Sequence, residues 1–248
     1  MIRKYFANLK ESKKDKINWR SHDVTRIEAF SDAVFAFAVS LLVISLEVPK
    51  TSKELIESLK GLIPFIFCFG IIFWIWRSQY RFFRRFGLHD RYTLTLNGML
   101  LFITLAFVYP LKFLFSALFL PEVFSTRAQD YASLTMLYNG GFAVIGFLFS
   151  LMYLNAHWKR DEIKLTPVED FETVNLTWGH AIPALASCLA VFITYMLRNG
   201  DPNNVTICYS AYALLGIAFP LFDRIRNKSF KKRFGNAPMT EPHHGTEG

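Results

Sequence analysis

Long apolar stretches, separated by short polar connections, run through most of the chain. Six of them approach the roughly 20 apolar residues that a helix needs to cross a bilayer. They cover residues 30–48, 62–76, 94–118, 134–154, 174–197 and 205–222. This pattern predicts an all-α integral membrane protein with six transmembrane helices.

The composition supports a membrane protein. Apolar residues make up 52% of the 248 residues and charged residues only 19%. A soluble domain of this length needs more polar side chains to cover its surface, and a disordered chain has fewer apolar ones. The three cysteines have no metal-ligand spacing and lie in or near apolar stretches, so we expect neither a metal site nor a cofactor.

Basic residues are distributed unevenly over the connections. Eight lie in residues 1–26, five in 77–91, three in 159–164 and six in 224–248, whereas the other three connections share five. Because cytoplasmic loops carry the excess of Lys and Arg, we predict that both termini are cytoplasmic. The net charge of +8 then reflects orientation, and we expect no nucleic-acid partner.

This orientation divides the chain into three regions. Residues 1–25 form a basic cytoplasmic segment, residues 26–223 a six-span domain, and residues 224–248 a cytoplasmic tail that is basic and then disordered. The tail after Arg233 is rich in Gly, Asn, Pro, Thr and His, a composition that is typical of disorder.

Several polar side chains lie at the cytoplasmic ends of the predicted spans. The set comprises Arg26, Asp32, Gln79, Arg81, Asn97, Asn175 and His180. A charge at membrane depth costs about 2.5–3.5 kcal/mol, so we expect these groups to bind one another. Two interpretations remain open: a network that holds the helices together, or a proton relay or ion site.

The first span also carries an apolar stripe. Phe37, Leu41, Ile44 and Val48 recur at helical spacing, and Ser40 lies beside them. Such a stripe suits a face that meets lipid or packs against other helices. It also suits a helix that surrounds an axis in several copies, where apolar rings form a constriction that gates by dewetting.

Enzyme motifs are missing from the sequence. It contains no Gly-rich phosphate loop, no His-Glu-x-x-His motif and no Gly-x-Ser-x-Gly motif. A potassium-channel filter of the Thr-Val-Gly-Tyr-Gly type is missing as well. We therefore expect no catalytic activity.

Residues 26–32, Arg-Ile-Glu-Ala-Phe-Ser-Asp, match the Arg-x-x-x-Phe-Ser-Asp pattern that begins the first helix of the transmembrane protein 175 family. That family comprises an endolysosomal potassium channel and shorter prokaryotic relatives. The rest of the first span, ending in Leu-Glu-Val-Pro at 46–49, also resembles the family. Beyond residue 49 the similarity is weaker: Trp76, Arg81 and Phe83 resemble the end of the second helix, and Asn97 with Pro110 the third.

The resemblance implies a potassium-selective leak channel with residues 26–223 as its channel domain. It implies a homotetramer in the bilayer whose pore is lined by four copies of the first helix. Phe37 would form the narrowest hydrophobic ring, Leu41 and Ile44 further apolar layers, and Ser40 the hydroxyl layer linked to potassium preference.

The resemblance also assigns a bracing role to the cytoplasmic polar network. Its members would be Arg26, Phe30, Ser31, Asp32, Gln79, Asn97 and His180. The sequence departs from the family in two features. Phe37 stands where Ile or Leu is usual, and Gln79-Tyr80 replaces a common His-His pair, which removes a group that titrates near neutral pH.

The sequence therefore predicts a multi-pass potassium channel of the inner (plasma) membrane. Two alternatives remain. The first is a proton-coupled secondary transporter that uses Asp32 and His180, and the second is a non-conducting membrane scaffold.

Overall fold

A computed structural model describes residues 20, 24–44, 50–52, 59–119, 131–197 and 205–234. All regular elements within these ranges are α-helices. They are α1 (Arg26–Ile44), α2 (Leu62–Phe86), α3 (Arg91–Phe119), α4 (Tyr131–Trp158), α5 (Pro167–Leu197) and α6 (Val205–Phe234).

Five of the helices, α1 to α5, are long and apolar enough to cross a membrane. The sixth predicted span falls on α6, which is helical throughout, although the side chains of residues 205–219 lie outside the described part. The prediction of an all-α protein with several spanning helices is confirmed. The cytoplasmic placement of both termini stays a prediction.

The helices extend beyond the apolar runs from which they were predicted. Helix α2 continues ten residues past Trp76 and ends at Phe86. The next residue, Gly87, has a left-handed φ of 59°, and its N–H donates to the Phe83 carbonyl at 2.8 Å. Helix α6 continues to Phe234, so the basic first part of the predicted tail is helical. A search for apolar stretches finds only the part of a helix that lies in lipid, whereas the helix itself extends beyond the membrane. Residues 235–248, where disorder was predicted, lie outside the described residues.

The six helices pack as two groups of three. Helices α1, α2 and α3 contact one another, α4 and α5 pack along much of their lengths, α6 packs on α5, and α3 joins the groups through α4. Buried Phe82 and Phe86 of α2 contact the ring of Tyr153 on α4 edge-on, so they lie where the groups meet. Among the described residues, helix α1 thus has neighbours on one side only, and its other face is exposed in the single chain.

Candidate functional site

A capping box starts α1. The Thr25 backbone N–H donates to Glu28 Oε2 at 2.8 Å, the Thr25 hydroxyl donates to the same oxygen at 2.9 Å, and the Glu28 N–H donates to Thr25 Oγ1 at 3.4 Å. These bonds satisfy backbone donors that the first turn leaves unpaired. They also fix where the helix begins, and therefore the direction in which Ser31 and Asp32 point.

The buried face of α1 carries a polar network that joins three helices. Asn97 Nδ2 on α3 donates to Ser31 Oγ at 3.0 Å, and Gln79 Nε2 on α2 donates to Asn97 Oδ1 at 3.0 Å. The Ser31 hydroxyl in turn donates to the Ile27 carbonyl at 2.8 Å. All three side chains are buried. Each bond is made away from water, where leaving a partner unpaired costs most.

Asp32 lies beside this network and bonds to a different residue. Trp76 Nε1 donates to Asp32 Oδ1 at 2.7 Å. The Trp76 ring also stacks on Tyr80, with ring centroids 5.7 Å apart. Asp32 is exposed in the single chain. Because a lipid-facing carboxylate is costly, this side of α1 is suited to meet water or another protein surface.

The exposed face of α1 carries most of the predicted constriction. Phe37 is 55% exposed and Ile44 is 73% exposed, and Ser40 lies between them on the same face. Leu41 lies at the edge of that face and packs partly against the core. The Ser40 hydroxyl donates to the Ala36 carbonyl at 3.0 Å, which leaves its oxygen free to accept.

Three predicted members of the network lie elsewhere. Arg26 and Phe30 are exposed on α1, away from the buried Ser31. His180 on α5 stacks on the rings of Phe149 and Tyr153 of α4, with centroid distances of 5.0 and 5.4 Å. The structure therefore brings Ser31, Gln79 and Asn97 together and places His180 among aromatic side chains.

A second polar cluster surrounds Asp90 at the start of α3. Asp90 Oδ1 accepts the Thr93 hydroxyl at 2.8 Å, Asn155 Nδ2 donates to Thr93 Oγ1 at 2.9 Å, and Lys159 Nζ lies 3.8 Å from Asp90. Partial burial raises the pKa of Asp90, but the hydrogen bonds from Thr93 and the charge of Lys159 outweigh it and hold the pKa below its ordinary value. The cluster joins α3 to α4.

Arg20, which precedes α1, anchors the chain to the other helices. Its guanidinium donates to Glu169 Oε2 at 2.7 Å and to the carbonyls of Ile163 and Arg85 at 3.0 and 3.2 Å. Its backbone N–H donates to the Arg84 carbonyl at 3.0 Å. The sequence does not identify Arg20 as an anchor, because the local pattern shows only one of many basic residues ahead of α1.

The two capping boxes could have been predicted from the sequence. Thr25 and Glu28, and likewise Thr166 and Glu169, show the Thr-x-x-Glu spacing of a capping box. In the second box the Thr166 N–H donates to Glu169 Oε2 at 2.9 Å. Glu169 therefore caps α5 and holds Arg20 with the same carboxylate oxygen.

Comparison with known proteins identifies the same family that the sequence resembles. The model of the endosomal/lysosomal potassium channel TMEM175 matches residues 26–110, a range that starts at the Arg-x-x-x-Phe-Ser-Asp motif. A potassium channel of Marivirga tractuosa is 34% identical over 230 residues, which cover 87% of this chain and 92% of that protein. A potassium channel of Chamaesiphon minutus is 32% identical over 139 residues, covering 53% of this chain and 64% of the relative.

A solved structure has a similar fold over nearly its whole length. It is the crystal structure of a variant of the potassium channel MtTMEM175 in complex with a nanobody–MBP fusion. The TM-score is 0.78 and the sequence identity 33%, over 87% of this chain and 98% of the solved one. With the match to the Marivirga tractuosa channel, this similarity confirms the predicted family: the chain belongs to the TMEM175 family.

Proposed function

We propose that the protein is a potassium-selective leak channel of the inner (plasma) membrane. Its relatives are named potassium channels, and five described helices suit a membrane. The observation that carries the mechanism is the division of α1 into two faces. One face is buried and held by the hydrogen bond from Asn97 of α3 to Ser31, and the other exposes Phe37, Ser40 and Ile44.

In this proposal four copies of α1 surround the conduction axis in a homotetramer. The exposed Phe37 and Ile44 side chains, and Leu41 at the edge of the face, then form successive apolar rings. Narrow rings of this kind exclude bulk water, so an ion passes only after losing part of its hydration shell. The Phe37 ring face attracts a cation by about 0.5–2 kcal/mol, which offsets part of that loss.

Ser40 supplies an oxygen at the same depth. Because its hydroxyl hydrogen is donated to the Ala36 carbonyl, the lone pairs of Oγ point away from the helix backbone. In a tetramer four such oxygens would replace some of the water ligands of K⁺. The apolar rings therefore set how readily the pore admits an ion, and the hydroxyl layer favours K⁺ over Na⁺.

The polar network is proposed to hold the pore helix in register. The bonds that join Ser31 to Asn97 and Asn97 to Gln79 prevent α1 from rotating or sliding against α2 and α3. Asp32 is held by Trp76 at the edge of the exposed face. A rotation of α1 by one residue would turn Phe37 and Ser40 away from the axis. Conduction therefore depends on this bracing.

Cation flux into liposomes tests the proposal. Phe37→Ala should raise K⁺ flux, because it widens the narrowest ring, and Ser40→Ala should lower the preference for K⁺ over Na⁺. Phe102→Ala is the matched control, because Phe102 is equally large, 69% exposed and located on α3. If the Phe37 and Ser40 variants both conduct like the wild type, α1 does not line the path. A wild type that carries no flux at any voltage would identify the non-conducting scaffold.

The proton-coupled transporter is less favoured. Asp32 contacts Trp76, whereas the ring of His180 lies 6.3 Å from that of Trp74, centroid to centroid. Residues two positions apart on a helix point about 200° apart, so Asp32 and His180 approach opposite faces of α2. The transporter predicts flux that depends on a pH gradient and the channel predicts flux without one. The proposal includes no catalytic step and no nucleic-acid partner.

A further inference from the structure

A cavity of about 270 Å³ lies between the end of α2, the first part of α5 and the second half of α6. Its charged lining contains two cations and two carboxylates. Arg85 bonds to Glu172 at 2.7 Å, and Arg226 lies 3.1 Å from Asp223. The four charges sum to zero, so the cavity offers both a cationic and an anionic partner to a ligand. The other lining residues include aromatic and aliphatic side chains such as Phe171 and Leu176.

A second cavity, of about 450 Å³, continues along α5 from the first. Gly179 lines both cavities. The lining of the second is mainly apolar, with Trp74, Phe149 and Pro183 among its members, and its polar members are His180 and Ser187. From Glu172 to Ser187 the two cavities follow α5 for about 22 Å at about 1.5 Å per residue. Together they form a groove with a charged end and an apolar end, which we call the α5 groove.

An unsatisfied donor lies at the charged end. Asn175 lines the first cavity, and its side-chain amide nitrogen is buried without a hydrogen-bond partner among the described residues. A buried amide without a partner costs about 1–3 kcal/mol. A ligand oxygen in the cavity would remove this cost after a rotation of the Asn175 carboxamide.

We propose that the α5 groove binds a phospholipid whose headgroup is zwitterionic and ends in a primary ammonium, as in phosphatidylethanolamine. The phosphate accepts from Arg226 and Asn175, the ammonium donates to Asp223 and Glu172, and an acyl chain fills the apolar cavity. Charge balance decides the headgroup. A zwitterion exchanges ion pairs without adding net charge, whereas an anionic lipid would place an unbalanced charge beside two carboxylates. The site is separate from α1 and does not depend on how the protein conducts.

Native mass spectrometry of the intact protein tests the proposal with three lipids that share acyl chains. We expect phosphatidylethanolamine to be retained about tenfold more tightly than phosphatidylglycerol or phosphatidylcholine, a ratio that corresponds to about 1.4 kcal/mol. The choline headgroup lacks N–H donors and therefore isolates the ammonium contribution. Equal retention of the three lipids, or a preference for the anionic one, would overturn the assignment.

Variants separate the two ends of the groove. Arg226→Gln should lower phosphatidylethanolamine retention about tenfold, and Arg224→Gln, an exposed arginine two positions away, should not. Asp223→Asn should remove the preference over phosphatidylcholine while retaining both lipids, and because Asp223 is half exposed this variant is expected to fold. Gly179→Leu should weaken all three lipids alike by obstructing the groove where the two cavities meet, and nothing lies within 4 Å of a Cβ at this position. If the Arg224 and Arg226 variants behave alike, or if cross-linking places a second copy of the chain in the groove, the proposal fails.

Discussion

Asn97 on α3 donates a hydrogen bond to Ser31 on α1 at 3.0 Å, and neither residue has exposed surface. The bond joins positions 66 residues apart in the sequence. Since Asn97 also accepts from Gln79, one carboxamide connects three helices. The arrangement uses a neutral amide where a charged group would carry a larger desolvation cost.

Asn97→Leu should destabilise the protein by about 1–3 kcal/mol, because it leaves Ser31 and Gln79 without their buried partner. Thermal unfolding in detergent measures the loss. Thr95→Ala is the matched control: Thr95 is a polar residue on the same helix, but it is exposed and its hydroxyl bonds to the Arg91 carbonyl of its own helix. An equal decrease in Tm for both variants would show that the network adds no stability.

Loss of the bond from Trp76 to Asp32 should weaken assembly more than folding. Trp76→Phe removes the donor and keeps most of the ring, and Asp32→Ala removes the acceptor. Both should reduce the fraction of the proposed tetramer in size-exclusion chromatography with light scattering. Trp158→Phe, at an exposed tryptophan on α4, is expected to assemble normally. An intact tetramer with normal flux in the Asp32 variant would remove the bracing role of Asp32.

The stability that Asp90 contributes should depend on pH. Its pKa is lower in the folded protein than the ordinary value of 3.8, so its carboxylate stabilises the fold above that pH and the stabilisation is lost as the pH falls further. We expect Asp90→Asn to lower Tm at neutral pH, and the difference from the wild type to shrink below pH 3.8. Asp161→Asn, at an almost fully exposed carboxylate, should leave Tm close to that of the wild type. A constant Tm difference for the Asp90 variant down to the lowest pH would contradict the assignment.

Gly146 allows α4 and α5 to approach each other. A Cβ at this position would lie 2.9 Å from the Ala184 Cβ and 3.1 Å from the His180 carbonyl oxygen. Gly146→Ala should therefore cost about 1–3 kcal/mol through overpacking, as measured by thermal unfolding. Gly140→Ala is made on the same helix where nothing lies within 4 Å, so it should be neutral or stabilise the helix by about 0.5–1 kcal/mol. The reverse order of stabilities would exclude a close contact at Gly146.

The sequence predicts the helices well because lipid imposes a strong apolar pattern on them. It predicts their ends less well: α2 continues to Phe86 although its apolar run ends at Trp76. The polar residues of α2 beyond Trp76 are compatible with a helix in water, and hydropathy does not separate such a helix from a loop.

Only part of the candidate site follows from the sequence. The predicted orientation places Gln79 and Asn97 at the same depth, and the family resemblance adds Ser31, so their proximity could be anticipated. His180 has the same predicted depth, but depth does not determine which way a side chain faces, and its ring stacks on Phe149 and Tyr153. Rotation about the helix axis depends on packing between distant segments, and a single sequence carries little information about it.

The anchoring of Arg20 has a mechanical consequence. Tension applied to the chain ahead of Arg20 would be taken up by its bonds to Glu169 and to the carbonyls of Ile163, Arg84 and Arg85 before it reached Thr25. The load would thus pass into α2, α5 and the connection before α5. A protein fused to the N-terminal side would therefore exert its force on α2 and α5, without tilting α1, the proposed pore helix.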